Sequence, residues 1–335
     1  MNIMPNAAAF DDVYLRTYLE PFRVWLESAD VTEILVNTPG EVWIERAGAA
    51  SMERYDAPEV DATLLQRLAH QIARANHQGI NRETPLLSAV LAGGARVQII
   101  APPATRKHMA LAIRKHVLTD ISLDDYAATG AFSRTRRSDD TGKSEIDAAL
   151  SAQLDTGDTL GFLRSAIVAR KTILLSGGTS SGKTTLLNAL LKDIPAHERV
   201  IVIEDTPEIN LGRDNALGLV AVHGDQGEAR VSIDDLMRAS LRMRPDRLLV
   251  GELRGPEVAT FLRAINTGHP GSLATIHASS TRGAFEQIAL MCLQAGLGLS
   301  RDETLAHAHT MIDVVVQLSR RDGIRVVDEI AFNPR

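Results

Sequence analysis

Residues 171–187, KTILLSGGTSSGKTTLL, constrain the fold of this chain more than any other stretch. Lys171 to Ser176 is a short apolar run suited to a buried parallel strand, and Thr185 to Leu191 continues with helical character. Between them the loop Gly177, Gly178, Thr179, Ser180, Ser181, Gly182, Lys183, Thr184, Thr185 contains the pattern G-x-x-x-x-G-K-[ST]. Its glycines let consecutive N–H groups turn toward phosphate oxygens, and the new helix adds the partial positive charge of its N-terminus. Lys183 is expected to face solvent and to reach the β- and γ-phosphates, with the Thr184 hydroxyl placed for Mg²⁺. A glycine- and serine-rich turn with a chance lysine is the competing reading. Matching the whole motif in a strand–loop–helix context outweighs it, and the stretch implies a nucleoside triphosphate site.

The rest of the composition sets limits. A chain of 335 residues suggests two domains, at about 150 residues each. Hydrophobic residues make up 44% and charged residues 23%, which suits a globular protein with a sizeable core. The net charge of -6, from 36 basic and 42 acidic residues, gives no overall field for nucleic acid or anionic lipid. Cys292 is the single cysteine, so an internal disulfide and a cysteine-based zinc site are both excluded. MNIMPNAAAFDD lacks the basic and apolar regions of a signal peptide, and no apolar run approaches the ~18 residues of a membrane span. The expected place is the cytosol or the periphery of a membrane.

Along the chain, Asp11 to Ser28 has helical spacing, and Thr32–Val36 and Glu41–Arg46 are strand candidates around a Thr-Pro-Gly turn. Asp61 is placed to cap a helix running to His77. Leu86–Leu91, Ala95–Ile100 and Met109–Ile113 follow as strands, completing a small α+β domain over 1–130. Residues 131–157 change character: Arg134, Arg136 and Arg137 precede a polar run with few large apolar side chains, which reads as a solvated linker. From 158 to 335 strands and helices interleave, so the expected fold there is α/β with a mostly parallel sheet. Asp322-Gly323 signals a hairpin between the last two strands.

Three more segments fall at strand ends, where ligands of open parallel sheets collect. IVIEDTPE brings Glu204, Asp205 and Glu208; RPDRLLVGE ends in Glu252; GHPGSLATIHA ends near His277. An acid there can hold Mg²⁺ or take a proton from water. Singly, such an acid is often a helix cap and such a histidine more often structural than catalytic. Together with the P-loop the functional reading is favoured for Glu252, Glu208 and His277, while Glu204 and Asp205 are open to a structural role. Arg242, Arg244, Arg247 and Arg254 read as interface or structural charges.

The series GGTSSGKTT, IEDTPE, LRMRPDRLLVGELRG and TGHPGSLATIHA resembles the secretion-superfamily hexameric ATPases, box for box. GGARVQIIAPP, LAIRK and DISLDDYAATGAF are similar to the traffic ATPases of type IV secretion systems in particular. The resemblance implies a RecA-like P-loop domain, ATP with Mg²⁺, and a homohexameric ring holding nucleotide between two tiers. It implies Glu252 as the Walker B glutamate, Glu208 as the aspartate-box acid on the metal with Thr184, and His277 as the histidine-box residue. Arg96 and Arg114 match N-domain arginines that reach the nucleotide in this family. Implied partners are other type IV secretion ATPases and inner-membrane components, at the cytoplasmic face of that membrane. Ser180 departs from the glycine of many members, a small change if its φ is negative.

The function expected is ATP hydrolysis driving substrate translocation or pilus biogenesis. A pilus retraction or assembly motor of the same superfamily is the alternative. So, in other classes, are a nucleotide-gated scaffold with little turnover and a nucleic-acid motor, against which the acidic balance counts. Direct DNA binding, and whether the cargo is DNA or protein, stay open.

Overall fold

A computed structural model of the chain describes residues 7–115, 122–133, 135, 144–222, 227–296 and 298–334, with side chains from residue 13 onward. Helices α1 (Ala7–Leu19) and α2 (Arg23–Glu27) lead into strands β1 (Val31–Val36), β2 (Gly40–Arg46) and β3 (Glu53–Ala57). Helix α3 (Ala62–Ala75) is followed by β4 (Leu86–Val90), β5 (Arg96–Ile100) and β6 (Ala110–Arg114). These strands form one antiparallel sheet in the order β3-β2-β1-β6-β5-β4. Asp61 caps α3 as expected, its carboxylate accepting the Leu64 N–H at 2.7 Å. The helix then buries Leu65, Leu68 and Ile72 in the same cluster as Ile34, Ile44 and Leu87 of the sheet. Strand β3 has no counterpart among the expected strands, because its sequence ERYDA sits at an edge with charges on both faces.

The second half begins with α4 (Leu123–Ala128), α5 (Glu145–Asp155) and α6 (Thr159–Val168). It continues through β7 (Ile173–Gly177), α7 (Lys183–Asp193), β8 (Val200–Glu204), β9 (Ala216–Val220), α8 (Ile233–Ser240) and β10 (Arg247–Leu253). It closes with α9 (Glu257–Asn266), β11 (Leu273–Ile276), α10 (Thr281–Gln294), α11 (Arg301–Met311), β12 (Val314–Arg321) and β13 (Ile324–Phe332). The sheet order is β13-β12-β7-β11-β10-β8-β9, parallel throughout except for the β12–β13 hairpin. That hairpin turns on Asp322 (φ 51°) and Gly323 (φ 85°), the two positive φ values a type I′ turn needs. Strand β7 lies inside the sheet and is buried at every position, as a strand covered on both faces must be.

The segment read as a linker is helical in its second half. Leu150 and Asp147 of α5 are buried, Leu150 in the cluster that also holds Ile173 and Leu175. Lys171, at the entry to β7, reaches Asp147 at 2.5 Å. Small and acidic residues between the few apolar positions of EIDAALSAQLD hide this helix from a periodicity argument. The basic cluster Arg134, Arg136 and Arg137 lies outside the described residues.

The N-terminal domain packs on the P-loop half of its own chain. Leu35, Trp43, Ile100 and Ala110 share one core cluster with Leu217, Leu219, Leu236 and Met243. Fully buried Arg199 donates to Asn37 Oδ1 at 2.7 Å and to Asn215 Oδ1 at 2.6 Å. Desolvation pulls that guanidinium down to about 10.

Candidate active site

The P-loop leaves the carboxyl end of β7 and enters α7 at Gly182. Gly177 has no room for a side chain: a Cβ there would lie 2.5 Å from Ser181 Oγ and 2.7 Å from the Leu318 carbonyl oxygen. Gly182 stands at φ 99°, a conformation that removes the penalty only for glycine. Ser180 has φ 62°, so the condition for a harmless replacement of glycine is not met. Substituting Ser180→Gly is therefore expected to stabilise the chain by about 0.5–1 kcal/mol, relief of left-handed strain less the added freedom of the unfolded chain. Thermal unfolding reads this, and a lower melting temperature in Ser180→Gly would show that the serine is held by something stronger than its strain.

Lys183 does not face solvent. It is 8% exposed, and its Nζ donates to the carbonyls of Gly177 (2.7 Å) and Gly178 (3.1 Å). Desolvation holds its pKa below the usual 10.5, with the Glu252 charge pulling the other way. The ammonium is thus pre-aimed along the loop, trading water for carbonyl dipoles that a phosphate can replace.

A cavity of about 510 Å³ opens over the loop. Residues from Gly178 to Thr185 line one side, and Glu208, Glu252 and His277 converge from the ends of β8, β10 and β11. Glu208 Oε2 accepts from Thr184 Oγ1 at 3.1 Å. Glu252 has a basic neighbour on each side: Arg254 Nε donates to its Oε2 at 2.6 Å, and His277 Nε2 lies 2.5 Å from its Oε1. Arg254 also reaches Asp205 at 3.1 Å, so the arginine read as an interface charge is part of the cavity wall. Glu204 is buried at the end of β8 and accepts the N–H groups of Glu208 (2.9 Å) and Ile209 (2.8 Å), a structural role.

Arg96 and Arg114 are not brought to this cavity within the chain. They face each other across β5 and β6 and line a separate cavity with Arg242. Arg114 Nε donates to Glu33, whose carboxyl is nevertheless pushed up by burial. The reason lies in the hairpin: its connection docks on β9, and both arginines stand at its open end, about 13 Å further along. Arg325 is the residue that sequence reasoning missed. It lines the cavity over the P-loop from β13, passes within 2.9 Å of where a Gly182 Cβ would stand, and its Nη1 lies 3.4 Å from Thr185 Oγ1. Sheet order, with β12 beside β7 and β13 one strand beyond it, places it there, and no local pattern announces it.

Residues 20–322 match the family described as Type II/IV secretion system protein. The chain belongs to that family. Among curated members, the type IV secretion system protein VirB11 of Bartonella quintana (strain Toulouse) is 37% identical over 331 residues, 95% of this chain and 92% of that protein. The type IV secretion system protein PtlH of Bordetella pertussis (strain Tohama I) is 37% identical over 341 residues, 97% of each. The crystal structure of the VirB11 ATPase from the Brucella suis type IV secretion system, in complex with sulphate, superposes with a TM-score of 0.91. It is 37% identical, with 97% of this chain and 96% of that one covered. This family member thus shares the whole two-domain fold with a secretion ATPase.

Proposed function

We propose that this chain is an ATP hydrolase of a type IV secretion system, working as a hexameric ring at the cytoplasmic face of the inner membrane. The observation that carries the chemistry is the convergence of the P-loop, Glu208 and the Glu252–His277 pair on one cavity. Relatives named for type IV secretion, at 37% identity over nearly the full chain, support the setting. Among the described residues no helix is long and apolar enough to cross a membrane, which is compatible with peripheral attachment.

The donor set fits Mg²⁺. Thr184 Oγ1 and Glu208 Oε2 stand together at 3.1 Å, a pair of hard oxygens, and no cage of three or more His, Cys, Asp or Glu ligands occurs among the described residues. Such a cation usually takes one or two protein oxygens and completes its shell with water and phosphate. When bound, it would neutralise charge on the β- and γ-phosphates. Lys183 turns from the Gly177 and Gly178 carbonyls to the phosphates. Glu252 accepts the proton of the attacking water, and His277 holds the carboxylate in line. Arg96 and Arg114 act on the γ-phosphate only after the domains close or from a neighbouring subunit, so closure is the step that couples chemistry to movement. Steady-state phosphate release from Mg-ATP by the purified full chain tests the reading; release no faster than in Lys183→Ala would leave a scaffold that binds without turning over.

Arg325 reaches the loop on the Thr185 side, where a P-loop meets the inner phosphates. Contacts there are the same for ATP and ADP. Arg325→Ala is therefore expected to weaken both nucleotides alike, by about 10-fold for one lost charge-assisted bond, and to leave kcat unchanged. Titrations of ATP and ADP check this, and a loss confined to ATP would place Arg325 at the γ-phosphate instead.

A further inference from the structure

The connection between β5 and β6 carries Arg106 out of the N-terminal domain and across the edge strand β9. Its own N–H donates to the Gly218 carbonyl at 3.2 Å, and the Val220 N–H donates to the Ala104 carbonyl at 2.9 Å. Gly218 leaves room for the crossing, since a Cβ there would lie 2.7 Å from both Arg106 Cδ and Nε. The guanidinium ends on Glu204 Oε2. Glu204 is 2% exposed, and its other oxygen accepts the N–H groups of Glu208 at 2.9 Å and Ile209 at 2.8 Å. One buried carboxylate therefore holds a cation of the N-terminal domain on one oxygen and the backbone of the Glu208 segment on the other. Gly251, the residue before Glu252, closes over the same side chain, its Cβ position being 3.0 Å from Glu204 Cγ.

We propose that Arg106 is a positioning residue that acts through Glu204 to place the Glu208 carboxylate opposite Thr184, so that docking of the N-terminal domain sets the Mg²⁺ end of the nucleotide site. The inference rests on the nucleotide reading above. The Arg106 guanidinium fixes one oxygen of this buried side chain, and the other oxygen is thereby held where it meets the N–H groups of Glu208 and Ile209. Glu208 itself is exposed, and its other restraints are the Thr184 hydroxyl and a 3.3 Å bond from Asn188 Nδ2 to its carbonyl. Losing Arg106 thus loosens the metal-side acid without removing any group that touches nucleotide.

The test is binding of a fluorescent ATP analogue to the full chain, once with Mg²⁺ and once with EDTA. Arg106→Gln is expected to shrink the tightening produced by Mg²⁺ by about 10-fold, the usual cost of losing an outer partner of a metal ligand. Affinity in EDTA should not change, and Arg106→Lys should recover most of the loss. In a Glu208→Ala background, adding Arg106→Gln should change nothing further, because the residue it positions is gone. The relay is overturned if Arg106→Gln keeps the wild-type Mg²⁺ effect, if its affinity falls equally in EDTA, or if the two substitutions simply add. Equal loss in EDTA is also what a merely unfolded fraction produces, so a folding defect counts against the relay. A wild-type chain that binds no nucleotide sinks the function reading itself, whereas a binding wild type with an unaltered Arg106→Gln sinks only this step.

Discussion

Replacing Lys183 with alanine is expected to lower turnover by about 10²–10³-fold, the range for losing one fixed electrostatic donor at a developing charge. Because Lys183 is 8% exposed and bonded to two carbonyls of its own loop, the change does more than delete a phosphate ligand. Gly177 and Gly178 lose their donor, and the loop that Gly182 and Ser180 hold in left-handed backbone loses a tie across its mouth. Nucleotide affinity should therefore fall together with kcat, while the melting temperature of the free protein changes little. Phosphate release and a nucleotide titration measure both; turnover within a factor of two of wild type would end the assignment of the loop.

The P-loop domain was legible because its signals are local. A buried strand, a glycine loop and a helix follow one another within residues 173–193, and acids fall just past strands whose apolar runs are unmistakable. The same locality explains the failures. The burial of Lys183 is invisible in the pattern because it comes from a fold-back onto carbonyls five and six residues earlier. Ser180 has a side chain that says nothing of its φ, which is set by how the loop closes over α7. Arg325 and Arg106 reach the site from the far edges of the sheet, through β13 and across β9, and depend on strand order alone. Arg96 and Arg114 were placed on adjacent strands from their pattern, and they are paired there, but which end of the hairpin docks is a tertiary fact. Helix α5 has the composition of a linker because its burial rests on Leu150 and on an Asp147–Lys171 pair.

Glu252→Gln separates binding from hydrolysis. The amide keeps the shape of the carboxylate but cannot accept a proton from water, so turnover should fall by about 10²–10⁴-fold, as for a lost general base. The geometry adds a second consequence. The carboxylate accepts from Arg254 Nε at 2.6 Å, with Arg254 tied onward to Asp205, and His277 Nε2 stands 2.5 Å from its other oxygen. A base bonded to a guanidinium is held off the position where it would meet an attacking water. Nucleotide must draw Arg254 away, and this arginine, already on the cavity wall, has phosphate chemistry to gain. The neutral amide releases Arg254 without that competition, so Glu252→Gln should bind Mg-ATP at least as tightly as wild type while hydrolysing it far more slowly. Equilibrium binding beside single-turnover hydrolysis reads both halves. If the variant instead binds weakly and hydrolyses each bound nucleotide at the wild-type rate, Glu252 is a binding residue held by its neighbours for that purpose. Glu208, 3.1 Å from Thr184, would then be the acid to examine as base.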